Sequence, residues 1–357
     1  MRWQDKSSEK IKRSKKKMKG CVILLVSLLC GVRALAMVAS VPLAAKSSQQ
    51  SAVNTGITSG VIVGGGRIGN FMHEANEKRD LLLAKRGEVI DPATTGPIYI
   101  CTRNNDLDSI IANTPSHRLE DLVFLQNGVL TTYLKSKGLC SNTQGLIYFA
   151  VSKKGEKPID GITDLNPDGL TAVTGKWAND FKSRMVKGGL TCHVLDKPEW
   201  EVAMLEKHIW ICAFMAVGSK YSVTVGAVEK DHNAEVKELI DELGHAITLT
   251  HGIQFPHGLA DRLCAYARSV AHFPTALKEF EWRNGYFTDV TFNAVSKLCP
   301  DPCPKHTEIM TSQNMLFSAR KLWIQRGKEE AKLLEFKWGQ TRALYEMRDE
   351  RNRNKST

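Results

Sequence analysis

Between residues 60 and 175 the chain alternates short continuous apolar runs with segments of helical spacing. Gly60 to Val63, Leu81 to Ala84, Ile98 to Cys101, Leu122 to Leu125, Leu146 to Val151 and Leu170 to Val173 are apolar at successive positions. That pattern fits strands covered on both faces, where alternation would mark a half-exposed sheet. Leu107, Ile110 and Ile111 carry helical spacing between two of the runs, so this half predicts an open α/β sheet of parallel strands. From about Pro198 long helices take over. Trp200 to Val217 is apolar on nearly every face beyond Ile209 and predicts a central buried helix. Val236, Leu239, Ile240 and Leu243 fall at i, i+3, i+4 and i+7 after an expected Asp231 cap, and Gly258 to His272 and Thr311 to Gln325 continue the theme. The expected organisation is an α/β domain over 57–197, an all-α C-terminal domain over 198–347 and a charged tail over 348–357.

Residues 1 to 56 read as a leader, disordered and outside the fold. A basic run ending at Lys19 precedes the apolar stretch Cys21 to Cys30, which Gly31 and Arg33 interrupt. That stretch is short of the ~20 residues that span a bilayer as a helix. Ala34-Leu35-Ala36 and Val38-Ala39-Ser40 offer small-residue cleavage sites, and the following residues to Gly56 are rich in Ser and Ala with no acid. A signal peptide followed by a transit-peptide composition resembles the bipartite leader of algae with secondary plastids. Plastid, chloroplast-type targeting is therefore expected. The endoplasmic reticulum or secretory route and a membrane anchor are the alternatives.

Charge changes the picture less than its total of +11 suggests. Residues 1 to 20 carry +7 and residues 318 to 357 carry +5, which leaves the body at −1. A near-neutral body argues against nucleic acid as a partner. The nine cysteines are irregularly spaced and do not form a disulfide framework. The expected partner is a small molecule, with no stable membrane insertion of the mature chain, and a homodimer is the candidate assembly.

The first chemical motif is Gly64-x-Gly66-x-x-Gly69, with Arg67 and Ile68 inside it, set between a predicted strand and a predicted helix. In such a turn the first glycine permits the bend, the second lets a pyrophosphate approach the backbone, and the third lets helix and strand pack. About twenty residues on, where an acid would select the free ribose hydroxyl of NAD, stand Lys85, Arg86 and Gly87. Two cations there suit a 2′-phosphate and point to NADP. Thr102 and Arg103 follow the next run, and Gln126, Asn127 and Gly128 the one after. Ligands of open α/β sheets bind beyond the carboxyl ends of the strands, where Arg103 could hold a phosphate or carboxylate and Asn127 could bridge nicotinamide and substrate.

Lys207 has Ala203, Met204, Trp210 and Ile211 as helical neighbours. Such a lysine either snorkels to the rim, which the pattern favours, or stays in a pocket where desolvation makes it a better proton donor. Glu279 and Glu281 lie in an aromatic-rich segment read as a helix. Glu279 either bonds a substrate hydroxyl or pairs with Arg283. Cys299-Pro300-Asp301-Pro302-Cys303-Pro304-Lys305-His306 lacks a fourth metal ligand, so no metal is expected and a structural turn is favoured over a redox pair.

In this order, the glycine turn, Thr102-Arg103, Gln126-Asn127-Gly128, Glu206-Lys207 and Glu279-x-Glu281-x-x-Asn284-Gly285 resemble the ketopantoate reductase family and its divergent plant and algal plastid branch. The resemblance covers residues 60 to about 300. It implies a Rossmann-like NADP-binding domain, a helical domain like the C-terminal domain of 6-phosphogluconate dehydrogenase, and an oxidoreductase acting on a 2-keto acid. Lys207 would be the general acid, Glu279 the carboxylate binding substrate hydroxyl, and Asn127 and Asn284 substrate contacts. Gly64, Gly66, Arg67, Ile68, Gly69, Arg86, Thr102, Arg103 and Asn127 would hold the cofactor. Two family asparagines that hold substrate are replaced by Ile211 and Met215, and the sheet is trimmed between Arg86 and Ile98. The implied reaction is NADP-dependent reduction of a carbonyl compound other than ketopantoate; the alternative is a non-catalytic NADP-binding protein.

Overall fold

A computed structural model describes residues 57–315. The leader, the tail beyond 347 and most of the predicted 311–325 helix lie outside the described residues. Seven strands form one sheet in the order β2-β1-β3-β4-β5-β6-β7: β1 Val61–Val63, β2 Leu81–Leu83, β3 Ile98–Ile100, β4 Leu122–Phe124, β5 Thr143–Leu146, β6 Ala172–Thr174 and β7 His193–Val194. β1 through β5 pair in parallel, β6 runs antiparallel to β5, and β7 is parallel to β6. The strand order reverses between β1 and β3, so the loops after these strands flank a topological switch point. β2 stands at the sheet edge, which is the trimming expected from the short connection between Arg86 and Ile98.

Helices α1 (Arg67–Ala75), α2 (Leu107–Asn113), α3 (Thr131–Ser136) and α4 (Ala178–Lys187) accompany the sheet. One internal ion network ties the sheet's start to α4. Arg184 is fully buried and donates to both Asp80 oxygens at 2.6 and 2.9 Å, to Asp180 at 3.0 Å and to the Thr58 carbonyl at 2.6 Å. Asp80 also accepts the Gly60 amide at 2.9 Å. A guanidinium so far from water is tolerated because its donors find oxygens and two carboxylates balance its charge.

The helical region begins with α5 (Lys197–Tyr221), opened by a capping box in which Asp196 accepts from the Glu199 amide at 2.9 Å. It is long and apolar enough to cross a membrane, yet 72% of its apolar window is buried within the protein. Helices α6 (Val225–Asp231), α7 (Asn233–His251), α8 (Leu259–Ser269), α9 (Asn284–Ser296) and α10 (Pro304–Ser312) follow. Their core is continuous with Leu146, Tyr148 and Ala172 of the sheet side.

Four local readings change. The strand expected at Leu146 to Val151 lies earlier, at Thr143–Leu146. Tyr148, Phe149 and Val151 leave the sheet and are buried by tertiary packing, Tyr148 against Tyr266 at 4.7 Å between ring centres. β7 was too short and mixed to register as an apolar run. Asp231 closes α6, and His232 occupies the cap position of α7. The segment read as a helix around Glu279 is a short 3-10 turn, Phe280–Trp282, with Glu279 itself left-handed at φ 48°.

Candidate active site

The glycine turn leaves β1 and enters α1 with three glycines in three different situations. Gly64 has φ +108°, a conformation L side chains avoid. A Cβ at Gly69 would stand 1.9 Å from the Gly64 carbonyl oxygen, so only glycine allows α1 to start this close to the strand. A Cβ at Gly66 would meet nothing within 4 Å. Gly66 is the N-cap of α1, and no side chain caps the helix. Uncapped amides at a positive dipole end suit an anion. The turn therefore fits the pyrophosphate of a dinucleotide.

Around that turn the predicted contacts are placed unequally. Arg67 turns away, donating to the carbonyls of Val151 and Ser152 at 3.0 and 3.2 Å, while Ile68 packs on the sheet core. Arg86, after β2, is exposed and reaches Asp106 at 3.3 Å. The acid missing from the end of that strand arrives three residues later: Glu88 accepts the Lys85 amide at 2.6 Å. Thr102 and Arg103 follow β3, across the switch point, with Arg103 exposed and beginning a 3-10 turn. Cys101 lies against Gly64 and Gly69, and burial pushes its thiol up to about 12.

A cavity opens beyond the carboxyl ends of β4 and β5, where it is roofed by α5. Asn127, Gly128, Gln144 and Leu146 line one side, and Trp200, Met204, Lys207, His208 and Ile211 the other. The loop holding Asn127 is fixed by Gln126, which donates to the Ile100 and Thr102 carbonyls at 3.0 and 3.2 Å and accepts the Leu125 amide at 3.1 Å. Asn104 donates to the Asn127 carbonyl at 3.0 Å, and Asn127 lines the cavity.

Lys207 does not snorkel. It is 5% exposed, its ammonium donates to the Ile147 carbonyl and lies 4.9 Å from the centre of the Tyr148 ring. Desolvation, with a smaller contribution from the Arg283 charge, brings its pKa down to about 7. A carbonyl oxygen and a π face hold the amine without neutralising it. Such a group both carries and releases a proton near neutral pH, as a general acid requires.

Glu279 and Asn284 are drawn into other contacts. Glu279 pairs with Arg283 at 2.5 Å. Asn284 is buried, and its Oδ1 lies 2.9 Å from His306 Nε2. Glu206, beside Lys207, forks onto Arg262 at 2.9 Å through both oxygens. Neither Glu279 nor Asn284 lines the cavity. The turn between them still reaches the site, because a Cβ at Gly128 would come within 2.2 Å of the Trp282 carbonyl oxygen.

Three residues at or beside the cavity are not among the predicted site residues: Trp200, His208 and Tyr148. Their only signal was an aromatic or basic residue next to an already suspected position. In the Cys299 to His306 segment Asp301 is the organiser, accepting from Thr291, Thr307 and the Cys303 amide at 2.7, 2.7 and 2.8 Å. Among the described residues no group of His, Cys, Asp or Glu is arranged to hold a metal.

No family model matches the chain, and no curated protein matches it in sequence. Solved structures do. A PanE/ApbA-family ketopantoate reductase from Ralstonia eutropha JMP134 is 14% identical with a TM-score of 0.51, over 72% of this chain and 99% of that one. A 2-dehydropantoate 2-reductase from Methylococcus capsulatus is 13% identical at 0.51, over 72% and 96%. A D-mandelate dehydrogenase in complex with NADH and anilino(oxo)acetate is 12% identical at 0.50, over 71% and 98%. The fold is thus that of the ketopantoate reductases, a Rossmann-type sheet followed by a helical region.

Proposed function

We propose that this chain is an NADP-dependent oxidoreductase that reduces a 2-keto acid-like carbonyl compound other than ketopantoate. The observation that carries the reading is Lys207: a buried amine with a pKa near 7, on a cavity at the strand ends that it shares with Asn127. The fold's likeness to two ketopantoate reductases and an NADH-bound D-mandelate dehydrogenase is in keeping with it. A reduced nicotinamide supplies a hydride to a carbonyl carbon. The uncapped amides of α1 would hold the pyrophosphate, and Arg86 a 2′-phosphate. Lys207 would give its ammonium proton to the carbonyl oxygen as that atom gains the electron pair, and recover a proton from solvent. Leu146, Met204, Trp200 and Ile211 make the cavity wall largely apolar, which suits a substrate less polar than ketopantoate.

A second reading, a non-catalytic NADP-binding protein, draws on the Glu279–Arg283 pair, which occupies the carboxylate expected to bind substrate. Titration of the protein with NADPH and NADH, followed by NADPH oxidation over a panel of branched and aromatic 2-keto acids, separates the two. Tight NADPH binding with no turnover across the panel would favour the second. We further propose that residues 1–56 direct the chain to a plastid and that the mature protein works as a homodimer. Imaging of a fluorescent fusion after residue 56, and sedimentation of the mature chain, test these points.

A further inference from the structure

Gln144 is a polar side chain in the cavity wall that the reaction above leaves without a task. It lies within β5, opposite Phe124 of β4 on one side and Thr174 of β6 on the other. Successive side chains of a strand point to opposite faces. Thr143 and Gly145 belong to the α4 face: the Thr143 hydroxyl accepts the Trp177 amide at 2.8 Å, and a Cβ at Gly145 would stand 3.3 Å from the Phe181 ring. Gln144 and Leu146 therefore belong to the α5 face, where Leu146 shares a core with Trp200, Met204 and Ile211 and where the cavity lies.

The residue is 5% exposed, and its amide makes no hydrogen bond within the described residues. Both amide atoms nonetheless keep accessible surface, whereas the unpartnered ring nitrogens of Trp200 and His208 are sealed. In a side chain otherwise buried, the space those atoms face is the cavity that Gln144 lines.

The other polar groups of the wall are mostly committed. Gln126 is spent on the Ile100 and Thr102 carbonyls and the Leu125 amide. His208 Nε2 lies 3.6 Å from the Cys212 sulfur. Lys207 gives one ammonium proton to the Ile147 carbonyl and keeps the others free to donate. No acid lines the cavity, so its open groups suit an acceptor. The enclosed space is about 20 Å3, room for roughly one or two groups the size of a water molecule. It admits the oxygen end of a carbonyl and not the body of a substrate.

We infer that Gln144 is a further catalytic residue, whose amide N–H hydrogen-bonds the reacting carbonyl oxygen in the cavity it shares with Lys207. The inference rests on the reductase reading above. As the carbonyl carbon gains a hydride from the reduced nicotinamide, the π pair moves to oxygen, which takes the ammonium proton of Lys207. Gln144 keeps its own protons and holds the oxygen while negative charge develops there. A fixed donor aimed at that charge, away from water, stabilises the transition state more than the bound substrate.

The test uses phenylglyoxylate, phenylpyruvate and 2-ketoisovalerate, each isotope-labelled at the keto carbon and bound to the full chain with NADP+, so that no turnover is needed. Isotope-edited infrared spectroscopy reads the keto stretch, which hydrogen bonds to the oxygen move to lower frequency. Gln144→Met should return the stretch part of the way to higher frequency, and Lys207→Met should remove a further part. Gln144→Leu is the second variant, and thermal unfolding checks that each is folded. With NADPH, Gln144→Met should lower kcat about a hundredfold with KM little changed, a split that a packing role would not produce. An unmoved stretch and an unmoved kcat in a folded variant overturn the assignment and leave the cavity a water site; turnover by the parent in that case leaves the reductase reading standing. A stretch that depends on Gln144 in a protein that oxidises NADPH with none of the acids supports the contact and overturns the reductase reading, together with the catalytic role built on it. No bound keto acid in the parent overturns both.

Discussion

Lys207, in the middle of α5, donates to the main-chain carbonyl of Ile147, sixty positions earlier and just beyond the end of β5. This bond stitches the helical region to the sheet at the mouth of the cavity, and it fixes the one amine whose pKa lies near neutrality there. Because protonated Lys207 is the donor, reduction should fall as pH rises through about 7. Lys207→Met should abolish turnover while NADPH affinity, measured by fluorescence titration, stays within about twofold.

The same lysine sets a stability dependence. Its folded pKa is near 7 against an ordinary 10.5, so between those values the unfolded chain binds a proton that the folded chain does not. Stability therefore rises with pH across that window, and the full penalty applies below about 7. Lys207→Met should raise the unfolding midpoint at pH 6 and lose most of that advantage by pH 10. The gain is of order a few kcal/mol, less ~1 kcal/mol for the Ile147 carbonyl left without its donor. Denaturant unfolding at the two pH values measures it.

Two alanines should separate cofactor binding from folding. At Gly66 an added Cβ meets nothing within 4 Å and φ is an ordinary −75°. Gly66→Ala should keep its melting temperature and lose about tenfold or more in dinucleotide affinity, because only the approach of a phosphate is blocked. Gly69→Ala places a methyl 1.9 Å from a carbonyl oxygen. It should destabilise the protein by about 1–3 kcal/mol and weaken the cofactor as well.

Arg86→Ala should weaken NADPH by about tenfold and NADH little, since the side chain is 89% exposed and its pair with Asp106 adds little stability. Equal losses for the two cofactors would show that Arg86 does not read the 2′-phosphate.

Asp80→Ala should be among the most destabilising single changes in the sheet region, about 3 kcal/mol or more. It strips a fully buried guanidinium of two of its hydrogen bonds and leaves the Gly60 amide without its acceptor. Replacing Arg184 as well, by Met, should recover part of the loss in chemical denaturation.

Short-range physics fixed much of this protein in its sequence. Continuous apolar runs can satisfy both sheet faces only inside a parallel sheet, so most strands, the order of elements and the switch to long helices near Pro198 were legible. The glycine turn was legible too, because Gly64 and Gly69 answer to backbone sterics within six residues of each other. Tertiary structure decided what depends on neighbours distant in sequence. Tyr148, Phe149 and Val151 read as strand because burial leaves the same apolar signature whether a sheet or a helix supplies it. Lys207 read as a snorkelling lysine because periodicity records which face of a helix is apolar and not what packs on it. The carbonyl of Ile147 and the ring of Tyr148 come from a chain segment about sixty residues away, and they make the buried amine tenable. Asn284 carried the right residue type, but His306 engages it in the fold; the Glu279–Arg283 pair, by contrast, was one of the two readings that the i, i+4 spacing offered.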